Sequence, residues 1–254
     1  NPSLVGSEMC IRDSFSSGVV FKHLLLNSNE EIKKRYLPEI ISGEKIGTFA
    51  VYESDKYEIS DKSIQTTITS SKDGLVLNGS KKYVMFGDTS DYVAVLAKDE
   101  SDFKFALINT SDDGVMVTKT PSLDQTRPLA EISFTNVLLD PQNMMIDMDH
   151  ELSVWKKVQN IATAFLSMEQ VGGSQACLEM STSYAKERIQ FGRPIGSFQA
   201  IQHVCANMLM KIESAKSLAY NSVRVDINDS TELEMSSLLA KSYCSEVFLS
   251  LIHI

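Results

Sequence analysis

Arg188, Phe191, Phe198 and Gln199 fall within one stretch, YAKERIQFGRPIGSFQAIQH (residues 184–203), and here residue types and spacing could do chemistry. Together they offer an ion pair, an aromatic contact and a tight turn. Read alone, Arg188 is a surface arginine paired with its neighbour Glu187, and Phe191 is a core aromatic. Gly192 and Gly196 permit a tight turn between two helices, and Gln199 could tie that turn down. Other constellations are weak. His23, His150 and His203 are too far apart for a metal-ligand spacing, so no metal is expected. There is no Ser-His-Asp arrangement and no Gly-x-Ser-x-Gly elbow. GSFQAIQ is not a phosphate-binding glycine loop. Glu169 is a lone carboxylate among apolar helical residues, best read as solvated or capping.

The elements that must position these residues follow from hydrophobic period. Residues 28–42 read as a helix, with a Ser28/Glu31 capping box and a stop at Gly43. Its apolar face is Ile32, Tyr36, Leu37, Ile40 and Ile41, and Pro38 predicts a kink or break near Leu37. From Ile46 to about Asp140 the period is two. IGTFAVY, SIQTTITS, GLVLNG, KKYVMF, DYVAVLAK, FKFALIN, VMVTKT and EISFTNVLL are strand candidates, separated by Asp-Gly, Asn-Gly and Asp-Asp-Gly turn signals. Beyond residue 150 the period is helical. One long helix at 152–188 carries the stripe Val154, Val158, Ile161, Phe165 and Met168. A second at 197–225 carries Ile201, Cys205, Met208, Ile212, Ala215 and Ala219. A third begins at Thr231, capped with Glu234. The fold class is α+β: a helical N-terminal remnant (1–45), a middle antiparallel β-domain built as a small sandwich or barrel (46–150), and the first part of an antiparallel helical bundle (151–254).

With those elements in place, YAKERIQFGRPIGSFQAIQH resembles the signature of the acyl-CoA dehydrogenase family. NEEIKKRYLPEIISGEKIGTFAVYES is similar to that family's passage from its N-terminal helices into its middle sheet domain. DGLVLNGSKKYVMFGDTSDYVAVLAK resembles its flavin-facing hairpin. The likeness runs colinearly over roughly residues 24 to 248. YESDKYEISD and RPIGSFQAIQH are most similar to the branch that contains the pimeloyl-CoA dehydrogenase small subunit. The resemblance implies helices, a β-domain and a four-helix bundle, with FAD held between β-domain and bundle. It implies oxidation of the α,β carbon–carbon bond of an acyl-CoA thioester, the α-proton leaving to a glutamate and the β-hydride to the flavin. On matching positions, Phe49, Val51, Tyr83, Val84 and Met85 would meet the flavin. Arg188 would contact the pyrophosphate of a neighbouring subunit's FAD, where a guanidinium fork suits two phosphates better than an ammonium does. Phe191 would lie against that cofactor's ring system or adenosine linker, and Phe198 and Gln199 would touch it. A site shared in this way implies a homo- or hetero-oligomer. An electron-transfer flavoprotein is the implied reoxidising partner.

The family pattern is not filled everywhere. Where the family reads aromatic-Ala-Leu-Thr-Glu-Pro, this chain has Phe49, Ala50, Val51, Tyr52, Glu53 and Ser54, followed by Asp55. The glycine-serine loop that greets the acyl-CoA becomes KYEIS. Trp-Ile-Thr becomes Tyr83, Val84 and Met85, which exchanges a hydroxyl for a thioether, a weak acceptor. Backbone contacts from Val51 and Val84 would survive these changes. In one branch the base lies in the first long bundle helix; aligned on QVGG it is Ala162 here, with Asn160 and Thr163 at the neighbouring substrate-binding positions. The commoner base position lies beyond Ile254, so no catalytic residue is assigned within the chain.

Bulk properties narrow the partners. A net charge of -9 over 254 residues argues against nucleic acid, and without a basic run an anionic membrane surface is not expected. The longest apolar runs are too short to span a bilayer. Cys10, Cys177, Cys205 and Cys244 show neither zinc nor disulfide spacing and read as reduced core thiols of a cytoplasmic protein. The ends NPSLVGSEMCIRDS (1–14) and LSLIHI (249–254) resemble translated library-adapter sequence, so the natural chain is expected to continue at both ends. Two functions compete. One is an FAD-dependent acyl-CoA dehydrogenase, of which this chain is an inactive piece. The other is a non-catalytic partner subunit of a heteromeric dehydrogenase, favoured by Tyr52, Met85 and Ala162.

Overall fold

The alternating residues from Gly47 onward form an eight-stranded sheet in the computed structural model, which describes residues 17–27, 30–54, 59–60, 62–72, 74–99, 102–140, 143–145 and 153–251. Ser28 of the expected capping box, Cys10, Asp55, His150, most of KYEIS and the side chain of His23 lie outside the described residues. The strands are β1 (Gly47–Ala50), β2 (Thr67–Ser71), β3 (Gly74–Met85), β4 (Tyr92–Asp99), β5 (Asp102–Asn109), β6 (Val115–Thr120), β7 (Leu129–Leu139) and β8 (Met144–Met145). Their order is β6-β7-β3-β2-β4-β5-β8, with β1 also on β4, and the sheet curls into a half-barrel. The chain is α+β as expected, but the sheet is not wholly antiparallel. β1 and β2 both run parallel to β4, one along Tyr92–Val95 and the other at Lys98–Asp99. In β4, Tyr92 to Ala97 is buried at every position, which explains its unbroken apolar run.

The expected strands GLVLNG and KKYVMF are one strand, β3. Asn78-Gly79 is not a turn: it lies inside β3, where the register against β7 slips between Leu77 and Gly79 and again between Lys81 and Val84. At Gly79 a Cβ would stand 2.6 Å from the Thr66 hydroxyl oxygen, so a glycine here admits a close approach. Slips of this kind bend and twist a strand; the first places its extra residue on β7, near Asn136 with φ +51°, and the second on β3, around Tyr83. Asp-Asp-Gly does turn the chain. Gly114 has φ +88°, and a Cβ there would meet the Thr135 carbonyl oxygen at 2.2 Å. Gly114→Ala is therefore expected to cost at least about 1–3 kcal/mol. Gly172→Ala, on a helix with open space around the added carbon, should be neutral or stabilising by up to about 1 kcal/mol. Thermal melts of the two variants check the contrast.

Ahead of the sheet stand α1 (Ser17–Asn27) and α2 (Glu30–Ser42). Ile32, Tyr36, Leu37 and Ile40 are buried, but Ile41 is 66 % exposed and does not belong to the face assigned to it. The helix does not break near Leu37; it runs through Pro38 to Ser42. Gly43 stops it, its N–H donating to the Ile40 carbonyl at 3.2 Å with φ +75°. Tyr36 and Tyr92 stack edge to face at 5.0 Å, and the Tyr92 hydroxyl donates to Glu39.

Two compact units divide the chain, Asn1–Trp155 and Lys156–Ile254. The second is built from α3 (Ser153–Glu187), a two-strand hairpin β9 (Ile189–Gln190) and β10 (Arg193–Pro194), a 3₁₀ turn at Ile195–Ser197, α4 (Gln199–Arg224) and α5 (Ser230–Leu251). α5 runs against α4, since Lys211 meets Ser250 and Cys244 meets the Ala215 carbonyl. It runs with α3, since Gln170 meets Ser245 and Gly173 faces Phe248. α3 and α4 are therefore antiparallel, as expected. Their shared core is Val171, Leu178, Met208, Ile212, Ala215 and Ala219 with Cys244, Val247 and Leu251 of α5. Of the stripe expected on α4, Met208, Ile212, Ala215 and Ala219 are buried, and Ile201 and Cys205 are half-buried. On α3 the stripe is observed in part: Val158 is buried and Met168 packs on the core, but Phe165 is 50 % exposed, and Ala164, Ser167, Val171, Ser174 and Leu178 are buried outside the expected stripe. Asp229, rather than Thr231, caps α5, accepting from the Glu232 N–H at 2.9 Å. No described helix is long and apolar enough to cross a membrane.

Candidate functional site

The five positions expected to meet a flavin in the first unit are brought together at one corner of the sheet. β1 ends at Ala50 and the chain continues as irregular backbone through Ser54. This segment lies against the far end of β3. The Lys82 N–H donates to the Tyr52 carbonyl at 2.8 Å, and the Thr48 hydroxyl donates to the Met85 carbonyl at 2.5 Å. Val51 and Val84 are buried, so their side chains serve the core and only their backbone can face a ligand. Tyr52, Tyr83 and Met85 are half-buried. Tyr83 has φ +56° and occupies the second slip of β3. A non-glycine residue there carries strain, and such outliers gather at functional sites. Phe49 packs edge to face on Phe105 at 5.9 Å and tilted against Trp155 at 5.0 Å.

A charged pair that the sequence reading missed lies beneath this corner. The Lys81 side chain is 0 % exposed and that of Glu53 9 %, with 2.7 Å between Nζ and Oε1. Lys81 also donates to the Val51 carbonyl at 3.0 Å. Glu53 accepts from the backbone N–H groups of Gln65 at 2.6 Å and Thr66 at 3.0 Å. Burial pushes the Lys81 ammonium down to about 8, against the opposing pull of Glu53. Burial raises the Glu53 carboxyl, but hydrogen bonds from Lys81 and Thr66 and the Lys81 charge together outweigh it and hold the carboxyl below 4.5. A carboxyl depressed in the folded state binds fewer protons there than in the unfolded chain. Its contribution to stability is full above 4.5 and is lost as pH falls through the lower folded value. Below pH 4.5 the first unit should thus lose stability, and Glu53→Gln should flatten that acid limb. Urea midpoints measured across the acid range check this.

The second unit holds the other expected group. Arg188 lies just past the end of α3 and is exposed; its N–H donates to the Tyr184 carbonyl and its carbonyl accepts from Ile195 N–H, both at 2.8 Å. Among the described residues no ion pair joins Arg188 to Glu187, whose carboxylate takes the Ser183 hydroxyl at 3.4 Å. Phe191 and Gly192, the two loop residues of the β9–β10 hairpin, have φ +52° and +77°. Two consecutive positive φ values are the mark of a two-residue hairpin turn. Phe191 is 91 % exposed, so it is not a core aromatic. Phe191 and Phe198 stand edge to face at 6.1 Å, and the Arg193 guanidinium sits 4.1 Å over the Phe198 ring. Gly196 does not turn the chain with a positive φ; it leaves room for the Ala185 carbonyl, which a Cβ would meet at 2.9 Å. Gln199 is exposed at the start of α4 and does not tie the turn. Gln202 does, donating to the Gly196 carbonyl at 2.9 Å.

On α3, Asn160, Ala162 and Thr163 are half-buried, the Thr163 hydroxyl being spent on the Gln159 carbonyl at 2.8 Å. Glu169 is exposed. Among the described residues no three His, Cys, Asp or Glu side chains gather as metal ligands.

A half-barrel sheet followed by antiparallel helices, with an arginine and an exposed aromatic on the hairpin between two of them, defines a class that comparison with known proteins makes specific. Residues 155–254 match the family model described as acyl-CoA dehydrogenase, C-terminal domain. Over that stretch the chain carries the C-terminal domain of the acyl-CoA dehydrogenases, and the relatives it matches include members of that family. It is 28% identical over 231 residues to the caffeyl-CoA reductase-Etf complex subunit CarC of Acetobacterium woodii, covering 88% of this chain and 60% of that protein. The butyryl-CoA dehydrogenase of Megasphaera elsdenii superposes with a TM-score of 0.85 at 24% identity, over 96% of this chain and 65% of that one, a likeness of fold. The acyl-CoA dehydrogenase complexed with FAD from Bacillus anthracis superposes with a TM-score of 0.77 at 25% identity, over 91% of this chain and 43% of that one. The chain spans 52–62% of the length of the curated relatives it matches first.

Proposed function

We propose that the natural protein is an FAD-dependent enzyme that oxidises the α,β carbon–carbon bond of an acyl-CoA thioester in the cytoplasm, with an electron-transfer flavoprotein as redox partner. The observation that carries this reading is Phe191, held in left-handed backbone and 91 % exposed beside Arg188. A strained, solvent-facing aromatic on the hairpin that follows an exposed arginine suits a surface that receives a ring and a pyrophosphate from another subunit. The chain's donors fit such a cofactor in part. The backbone at Val51 and Val84 can serve it, whereas the Met85 thioether accepts a hydrogen bond only weakly.

When bound, FAD supplies a two-electron acceptor for the hydride from the β-carbon. This chain's residues supply its placement. Phe49, packed on Phe105 and Trp155, and the backbone of the β1–β3 corner would line the cofactor, and Arg188 would neutralise a neighbouring cofactor's phosphates. The proton acceptor is expected by resemblance to be a glutamate beyond Ile254. The relative named as part of a reductase–Etf complex supports the flavoprotein partner.

A second reading, a non-catalytic subunit in a heteromeric dehydrogenase, draws on Tyr52, Met85 and Ala162, half-buried where the family pattern places hydroxyls and a base. Anaerobic addition of straight-chain, branched and dicarboxylic acyl-CoA thioesters to the flavin-loaded full-length protein separates the two. Bleaching of the flavin's visible band supports the enzyme. A flavin that stays oxidised with every thioester overturns it in favour of the partner subunit.

A further inference from the structure

The buried pair beneath the β1–β3 corner is costly. A methionine at 81 would fill nearly the same volume without taking a charge from water, and replacing a buried ion pair with apolar groups is commonly neutral or stabilising. What an apolar plug cannot supply is direction. Lys81 Nζ donates to the Val51 carbonyl at 3.0 Å and to Glu53 at 2.7 Å. Glu53 in turn takes the Gln65 and Thr66 N–H groups. These bonds hold a segment, Val51 to Ser54, that belongs to no strand. That segment faces the slip in β3, where Lys82 donates to the Tyr52 carbonyl and Tyr83 takes φ +56°.

We infer that Lys81 is a positioning residue: with Glu53 it clamps the segment after β1 against the slip in β3 and so presets the backbone of Val51 and Val84 toward the cofactor. The inference rests on the flavoenzyme reading for the identity of that cofactor. The clamp itself does not. A lysine whose role is only structural is replaceable by a stable substitute. A lysine that positions backbone is not, however stable the substitute.

The test compares the wild-type full-length protein with Lys81→Met/Glu53→Gln, in which both charges are removed while an acceptor is kept for the Gln65 and Thr66 amides. Three quantities are read: thermal midpoint, FAD affinity with the fine structure of the flavin's visible band, and hydrogen exchange of residues 50–54 and 82–86 without flavin. The expected result is a midpoint within a few degrees of wild type, at least tenfold weaker FAD, an altered band, and faster exchange in the two segments. Wild-type affinity with an unchanged band, or unchanged exchange, overturns the positioning role. Should the double variant not fold, Glu53→Gln alone stands in: weaker FAD and faster exchange are expected, and no change in either overturns the inference. A wild-type protein that takes up no FAD overturns the flavoenzyme reading, while the exchange comparison still decides the clamp.

Discussion

Lys81→Ala is expected to destabilise the first unit by about 3–5 kcal/mol, the range for breaking a buried ion pair from one side. The lysine is fully buried, so truncation leaves the 9 %-exposed Glu53 carboxylate without its counter-ion. It also takes the ammonium donor from the Val51 carbonyl, and a buried acceptor left unmade carries its own desolvation penalty. Lys82→Ala is the control. Its side chain is exposed, one residue along the same strand, and the change should stay within about 0.5 kcal/mol. Trp155 is the chain's one tryptophan, lies in the first unit and contacts Phe49 and Phe105. Its fluorescence in a urea titration therefore reports this unit. Equal midpoints for the two variants would remove the pair from any account of the fold.

Arg188→Ala is expected to weaken FAD retention by about 1.5–3 kcal/mol, the range for hydrogen bonds to a charged group, or roughly ten- to 150-fold. The fold should be untouched, because only the backbone of Arg188 joins the hairpin network, through Tyr184 and Ile195. Arg188→Lys should recover part of the loss, since an ammonium keeps the charge without the two-pronged geometry. Flavin content after gel filtration, set against an unchanged thermal melt, checks both. Wild-type flavin content in Arg188→Ala would show that the hairpin faces something other than a cofactor phosphate.

Much of the architecture was legible because hydrophobic period is a local signal. The strand at 115–120 is observed with the bounds read from VMVTKT, and α4 buries Met208, Ile212, Ala215 and Ala219 of its expected stripe, with Ile201 and Cys205 half-buried. The failures have physical causes. On α3 several buried positions are occupied by Ala164, Ser167 and Ser174, small residues that a pattern of large apolar side chains does not mark. Phe165, which fits that pattern, faces solvent. Asn78-Gly79 carries the residue types of a hairpin turn, but the close approach of Thr66 gives the glycine a different use. Pro38 stays within α2, whose buried face holds it in place through tertiary packing. At the candidate site, the exposure of Phe191 and the strain at Tyr83 are properties of backbone conformation that composition does not announce. Lys81 left a trace: it falls in step with Leu77 on the inward face of β3, a lysine where alternation calls for an apolar residue. Its partner, 28 positions earlier, becomes visible only when β1 and β3 are brought together.

The most direct measurement of the account is the flavin content of the purified full-length protein, released by denaturation and quantified against protein concentration. About one FAD per chain is the predicted result, falling in Arg188→Ala and in Lys81→Met/Glu53→Gln. A protein that carries no FAD as purified, and takes up none on titration, would contradict it.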